Sequence, residues 1–184
     1  MMKKGVRILA LEDSPFSKKG GKALIIGLVG RDNIVEGMLS FGVDVDGSDS
    51  TEMILRSLRR SRFLKQVRVI ALNGITLAGL NIIDVRRLSD ELGVEIVAIT
   101  RKKPHARLLS VAIGKRGLDV KGKRAMLKSL WSGIELKRTQ GYYVQYLAGV
   151  EEPSDELVRI SAGMLRLAHI IASGIGRGES SGRV

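Results

Sequence analysis

The sequence predicts an α/β fold: a mixed sheet in which an antiparallel meander leads into βαβ units, flanked by helices. Three observations predict it. Three apolar runs stand close together near the start, joined by loops too short to hold helices. Beyond residue 50 the apolar period lengthens from that of a strand to that of a helix. Strand-like and helix-like segments then alternate, which is the rhythm of parallel strands joined by crossover helices.

Residues 7–11 (Arg-Ile-Leu-Ala-Leu) read as a short buried strand, closed by Glu12, Asp13, Ser14 and Pro15. A turn at 18–21 leads to a second strand at 22–31. Asp32 and Asn33 turn the chain back into a long, glycine-interrupted third strand at 34–45. Over 51–62, Met53, Ile54 and Leu58 recur at helical spacing, with Ser50 as N-cap. Residues 66–72 alternate as a strand and end in Asn73-Gly74. Residues 78–92 read as a helix with Gly93 as its C-cap, and 94–100 as a fifth strand. Helices are expected over 105–114 and 118–131. Residues 134–137 and 142–148 fit either edge strands or an excursion, and the pattern does not decide. A last helix spans 155–173, with Leu157, Ile160, Met164, Leu165, Ala168 and Ile171 on one face. The Gly/Ser/Arg-rich end is expected to be mobile, giving a single domain at 1–175 and a flexible tail at 176–184. A meander feeding βαβ units, with acids at the end of the first strand, describes a ribonuclease-H-like sheet.

Charge points to the partner. Thirty-one Lys and Arg stand against nineteen Asp and Glu, a net charge of +12. Such an excess favours polyanions, because each neutralised phosphate releases condensed counterions. DNA or RNA is therefore the expected partner; a soluble, heat-adapted surface is the plainer reading of the same charge. The chain has no cysteine, which excludes disulfides, a disulfide-linked partner, thiolate zinc sites and cysteine nucleophiles. No uninterrupted apolar run approaches the roughly 20 residues that span a bilayer. The apolar segment behind the basic first residues is too short for a secretory signal. A cytoplasmic protein without a membrane partner is expected.

The acids are few. Glu12 and Asp13 sit where the first strand ends, and Asp44, Asp46 and Asp49 gather where the third strand gives way to a helix. Two or three carboxylates on adjacent strand ends would hold Mg²⁺ or Mn²⁺, with Glu12, Asp46 and Asp49 as ligands and Asp13 as a further catalytic candidate. Such a metal would activate water against a phosphodiester. Turn and N-cap chemistry explains the same acids equally well. The stretch from Asn73 and Gly74 to Gly79 follows a buried strand and opens the expected helix, where free N–H groups would receive an anion; a tight strand-to-helix turn is the plainer reading. Arg101, Lys102, Lys103 and Arg107 follow the fifth strand and are expected to grip phosphate. Further basic stretches run from Lys115 to Lys128 and along Arg56, Arg59, Arg60 and Arg62. Tyr142, Tyr143 and Tyr146 read first as edge-strand packing. His169, on the apolar last helix, reads as a packed core histidine.

Taken in order, four blocks resemble the signatures of one family. They are 7–16 (Arg-Ile-Leu-Ala-Leu-Glu-Asp-Ser-Pro-Phe), 45–51, 73–81 (Asn-Gly-Ile-Thr-Leu-Ala-Gly-Leu-Asn) and 101–104, with the helix at 165–172 in support. The family is an uncharacterised, mainly archaeal one, catalogued as domain of unknown function ninety-nine and described as endonuclease V-like. The resemblance covers nearly the whole chain. It implies the ribonuclease-H-like fold of endonuclease V, which cuts strands near deaminated adenine with Mg²⁺ or Mn²⁺. It places Glu12 at the first-strand acid site, Asp46 or Asp49 near the second, and Asn73 where the nuclease pattern has Asp. A neutral amide there supplies no charge to offset the desolvation of a divalent ion. The nuclease's strand-separating wedge, a Tyr next to proline, has no clear counterpart in this sequence; Phe16, beside Pro15, is the candidate substitute. Three functions follow: a metal-dependent endonuclease, a nucleic-acid-binding protein without cleavage on the same fold, or a basic protein-interaction module.

Overall fold

A computed structural model describes residues 5–180, except Lys18, Asn33 and Leu118. At its centre is a seven-stranded sheet. Its strands are β1 (Arg7–Asp13), β2 (Lys22–Arg31), β3 (Ile34–Asp44), β4 (Val67–Leu72), β7 (Glu95–Thr100), β8 (Ile134–Thr139) and β9 (Tyr142–Leu147). Their order is β3-β2-β1-β4-β7-β9-β8. The meander is antiparallel, β1, β4 and β7 run parallel, and β9 and β8 return antiparallel at the far edge. This is the expected mixed sheet, and the region at 134–148 proves to be strands of it, β8 at the edge and β9 between β8 and β7.

Period-two alternation assigns every central residue to a face. Ile8, Ala10, Val69, Ala71, Val97 and Ile99 face helix α5 (Asp155–Arg177). Leu9, Leu11, Ile70, Leu72, Ile96 and Ala98 face the other way, into the larger core. That core is covered by α1 (Ser50–Arg59), α2 (Val85–Leu92), α3 (Ala106–Arg116) and α4 (Val120–Trp131). Because both faces are covered, the central strands are continuous apolar runs.

Helix α5 is long and apolar enough, by length and composition, to cross a membrane. Here its stripe of Leu157, Val158, Ile160, Met164, Leu165, Ala168 and Ala172 is buried against β1 and β2. It runs on to Arg177, into the segment expected as a tail; 181–184 lie outside the described residues.

The helix expected over 78–92 is shorter than its pattern. Residues 76–82 form a two-stranded hairpin, β5 (Thr76–Leu77) with β6 (Asn81–Ile82), and α2 begins only at Val85, capped by the Asp84 side chain. Ala78 (φ 45°) and Gly79 (φ 89°) form the hairpin bend in the left-handed region, which no helix tolerates. Among the described residues, no helix opens directly after Asn73 and Gly74; the chain turns there into β5. The first helix also starts differently: Asp49, not Ser50, is the N-cap residue, and its side chain makes no capping bond.

Candidate active site

Continuing the alternation to the strand ends, inside β1 and one step past β4 and β7, brings three side chains together. Ile8-Ala10 is followed on the same face by Glu12, Val69-Ala71 by Asn73, and Val97-Ile99 by Arg101. All three line a cleft of about 710 Å³ between the carboxyl ends of the parallel strands and α5. In open α/β sheets this is where ligands bind. The cleft is completed by Lys102, by Gln140 and Tyr142 at the start of β9, and by one stripe of α5: Arg159, Ala162, Gly163, Arg166 and His169.

Glu12 is the buried acid of this cleft, 5% exposed. Its Oε1 accepts a hydrogen bond from the Asn73 side-chain amide at 3.2 Å and lies 3.1 Å from His169 Nδ1. Behind the imidazole, Ser173 Oγ is 3.4 Å from Nε2. Burial pushes the Glu12 carboxyl up to about 7, against the hydrogen bond from Asn73; the neighbouring Asp13 raises it further and His169 lowers it. Asn73 thus does what an Asp could not. It donates to the lone carboxylate, where a second acid would repel it.

The histidine is not in the core. Its side chain is 49% exposed, because it lies about 100° round the helix from the buried Ala168. Arg159 and Arg166, seven residues apart, were missed by the sequence reading as well. The signal was present in the 159, 162, 163, 166, 169 spacing, in which two small residues floor a groove between cations.

The other acids expected at the site serve a different structure. Glu12 and Asp13 are neighbours on a strand and point to opposite faces. Asp13 Oδ2 accepts from the Ala78 N–H at 2.6 Å, and burial raises its pKa against that bond. Asp46 Oδ1 accepts from the Leu80 N–H at 2.8 Å, while its Oδ2 lies 3.1 Å from the Arg116 guanidinium. Asp49 accepts from the Asn81 side chain at 2.6 Å and from the Asp44 N–H at 3.1 and 3.2 Å. All three carboxylates bind the β5–β6 hairpin, and none lines the cleft. A buried lysine, Lys123 of α4, locks the same hairpin. It donates to the carbonyls of Asp46 (2.8 Å), Leu80 (2.7 Å) and Gly47, and burial lowers its pKa. A Cβ on Gly79 would collide with the Asp46 carboxylate, so the bend also needs glycine for space.

The expected ligand set of Glu12, Asp46 and Asp49 is thus divided between two places. Among the described residues, no group of three or more His, Asp or Glu closes on one point. What the cleft offers a hard cation is the Glu12 carboxylate, with the amide oxygen of Asn73 and the His169 ring beside it.

The expected phosphate-gripping run is divided too. Arg101 and Lys102 line the cleft, whereas Lys103 and Arg107 line a smaller pocket with Trp131. Phe16 packs half-buried against the larger core, near Gly79, and is not a lining residue of the cleft. Gly74 adopts φ 80° and turns the chain out of β4 towards the hairpin. Of the tyrosines, Tyr142 lines the cleft, Tyr143 lies under Arg138 with the guanidinium 5.6 Å from the ring centre, and Tyr146 is buried.

A family model described as endonuclease dU matches residues 4–176, and the chain belongs to that family. A UPF0215 protein of Methanothermobacter thermautotrophicus is 36% identical, with 98% of this chain and 93% of the relative covered. The crystal structure of a protein of unknown function from Archaeoglobus fulgidus matches with a TM-score of 0.81 at 29% identity, over 94% of this chain and 99% of that one. The crystal structure of human ENDOV matches with a TM-score of 0.50 at 13% identity, over 91% and 83%. The fold is the ribonuclease-H-like one of endonuclease V, as the sequence resemblance implied.

Proposed function

We propose that this member of the endonuclease dU family processes nucleic acid in the cytoplasm, cleaving a phosphodiester bond of a DNA or RNA strand held in the cleft beside α5. The observation that carries the reading is a buried carboxyl with a near-neutral pKa in a cleft rimmed by Arg101, Lys102, Arg159 and Arg166. The four cations suit the charge of a backbone spanning the cleft. A carboxylate that titrates near 7 is matched to general-base work at neutral pH. Glu12 takes the proton of the attacking water, while Asn73 and His169 hold its Oε1 in place. Tyr142 is placed to stack on a base. The family description names deoxyuridine, so a strand carrying a deaminated cytosine is the proposed substrate.

Mg²⁺ or Mn²⁺ belongs to the proposal in a narrower form than the sequence suggested. Mg²⁺ is commonly held by one or two carboxylates together with substrate phosphates; where such an ion is bound, Glu12 would be its ligand, kept ionised, in place of taking the proton itself. The ion would supply Lewis-acid stabilisation of the charge that develops on phosphorus-bound oxygens.

Asn73 favours a second reading. An amide in place of an acid suits a protein that holds strands without cutting them. End-labelled single-stranded DNA and RNA, with and without deoxyuridine or inosine, incubated with Mg²⁺ or Mn²⁺, separates the two. Cleavage by the wild type that is lost in Glu12→Ala supports the nuclease. Salt-sensitive retention of uncut strands under every condition supports binding alone.

A further inference from the structure

Resting on the reading that the chain acts on nucleic acid, we propose that it carries a second nucleotide site, on the sheet face away from α5, which captures a single nucleobase between Trp131 and Gln145. The pocket is about 230 Å³ and is lined by Lys103, His105, Arg107, Trp131, Leu136 and Gln145, among others. That is roughly eight times the liquid volume of a water molecule, which suits one heterocycle and not a base pair.

Three independent features specify the occupant. The first is Gln145. Alternation along β9 sends Val144 to the α5 side and Gln145 to the opposite side, where it is 3% exposed. Its side-chain nitrogen is buried without a hydrogen-bond partner among the described residues. Leaving a buried amide unsatisfied is costly, and native proteins rarely tolerate it without a reason. An amide that offers either a donor or an acceptor when turned over matches the edge of a nucleobase. The second is Trp131, at the end of α4, half-buried against the larger core and on the pocket lining. Aromatic faces hold unpaired bases by stacking, with little regard to sequence. The third is charge. Lys103 and Arg107 stand on the pocket lining, and Arg107 and Trp131 also line an adjoining recess with Arg124 and Lys128. A base alone needs no cations; a base carrying its phosphate does.

The segment from Arg101 to Arg107, a loop that runs into the first turn of α3, joins this pocket to the cleft. Its first two cations serve the cleft and its later ones the pocket, so one strand crossing the loop engages both.

Trp131 is the only tryptophan of the chain, so its emission reports on the pocket directly. The full-length protein is titrated with deoxyuridine monophosphate, with an eight-nucleotide single strand, and with inorganic phosphate as control. Saturable quenching by the nucleotide and the strand, but not by phosphate, is expected. Gln145→Leu is expected to weaken the nucleotide about tenfold while raising Tm, because it replaces an orphan amide with an apolar group of similar size. Trp131→Leu, followed by anisotropy of a labelled strand, should also weaken binding about tenfold. Tighter binding of the strand than of the mononucleotide identifies a strand site, and the reverse a free-nucleotide site. Unchanged emission, or full affinity in Gln145→Leu, overturns the proposal. If strands are then still retained by the cleft cations, the proposed function survives; if the quenching holds but no strand is cut, only the cleft reading fails.

Discussion

Glu12 and Asp49 are both acids at strand ends, and both were candidates for one metal site, yet the structure gives them opposite circumstances. Glu12 is buried, faces a cleft, has a single carboxylate oxygen engaged, and titrates near 7. Asp49 is half-buried and accepts from Asn81 and the Asp44 N–H. Asp13 and Asp46 share its fate. The difference teaches that proximity in sequence to a strand end does not make an acid reactive. The face of the strand decides it. Residues in step with Ile8 and Ala10 enter the cleft, and those out of step meet the β5–β6 hairpin and become its hydrogen-bond acceptors. Glu12 opens on the cleft, whereas Asp13, Asp46 and Asp49 spend their oxygens on the hairpin and its neighbours.

If the hairpin side is structural, its most buried ion should matter most. Lys123→Met orphans three carbonyls and is expected to cost about 3–5 kcal/mol in urea denaturation, as does breaking other buried charge pairings. A loss below about 1 kcal/mol would break the comparison. Asp49→Ala comes next. It removes charge-assisted bonds to Asn81 and Asp44 and is expected to cost about 2 kcal/mol, with cleavage or strand binding preserved below its lowered Tm.

Glu12→Gln should move stability the other way. The Glu12 proton is bound more tightly in the folded chain than at the ordinary value of 4.5, so folding is favoured at low pH. That advantage is lost as pH rises from 4.5 through about 7. The amide variant should therefore flatten this slope, and near pH 8 exceed the wild type by on the order of 1–3 kcal/mol. Thermal melts at pH 5 and pH 8 check it, and an unchanged slope would show that Glu12 is not the group responsible. The smallest effect belongs to the rim. Arg166→Ala should leave Tm unchanged and lower the slope of log affinity against log salt by about one, uniformly across strand sequences.

Much of this was legible in the chain. The meander, the parallel strands and the cap at Gly93 follow from local chemistry, and the face of Glu12 follows from counting by twos from Ile8. The hairpin was not legible, because Ile75, Ala78 and Ile82 sit at spacings a helix also allows. Only the left-handed backbone at Ala78 and Gly79, imposed by contacts with Asp13 and Asp46, separates the two. His169, Arg159 and Arg166 escaped for a related reason. They are 157 to 147 residues distant from Glu12 in sequence, and nothing local says that α5 lies across the end of β1. The buried Lys123 is the extreme case, since an isolated lysine in a basic stretch reads as a solvated charge.

The division between cleft and hairpin is tested most directly by assaying Glu12→Gln and Asp49→Asn side by side, for strand cleavage and for Tm. A folded, stabilised Glu12→Gln protein with cleavage reduced at least a hundredfold is expected, beside a destabilised Asp49→Asn protein that still cuts at low temperature. A fully active Glu12→Gln protein beside a folded but inactive Asp49→Asn protein would contradict it, and would place the chemistry on the hairpin side of the sheet.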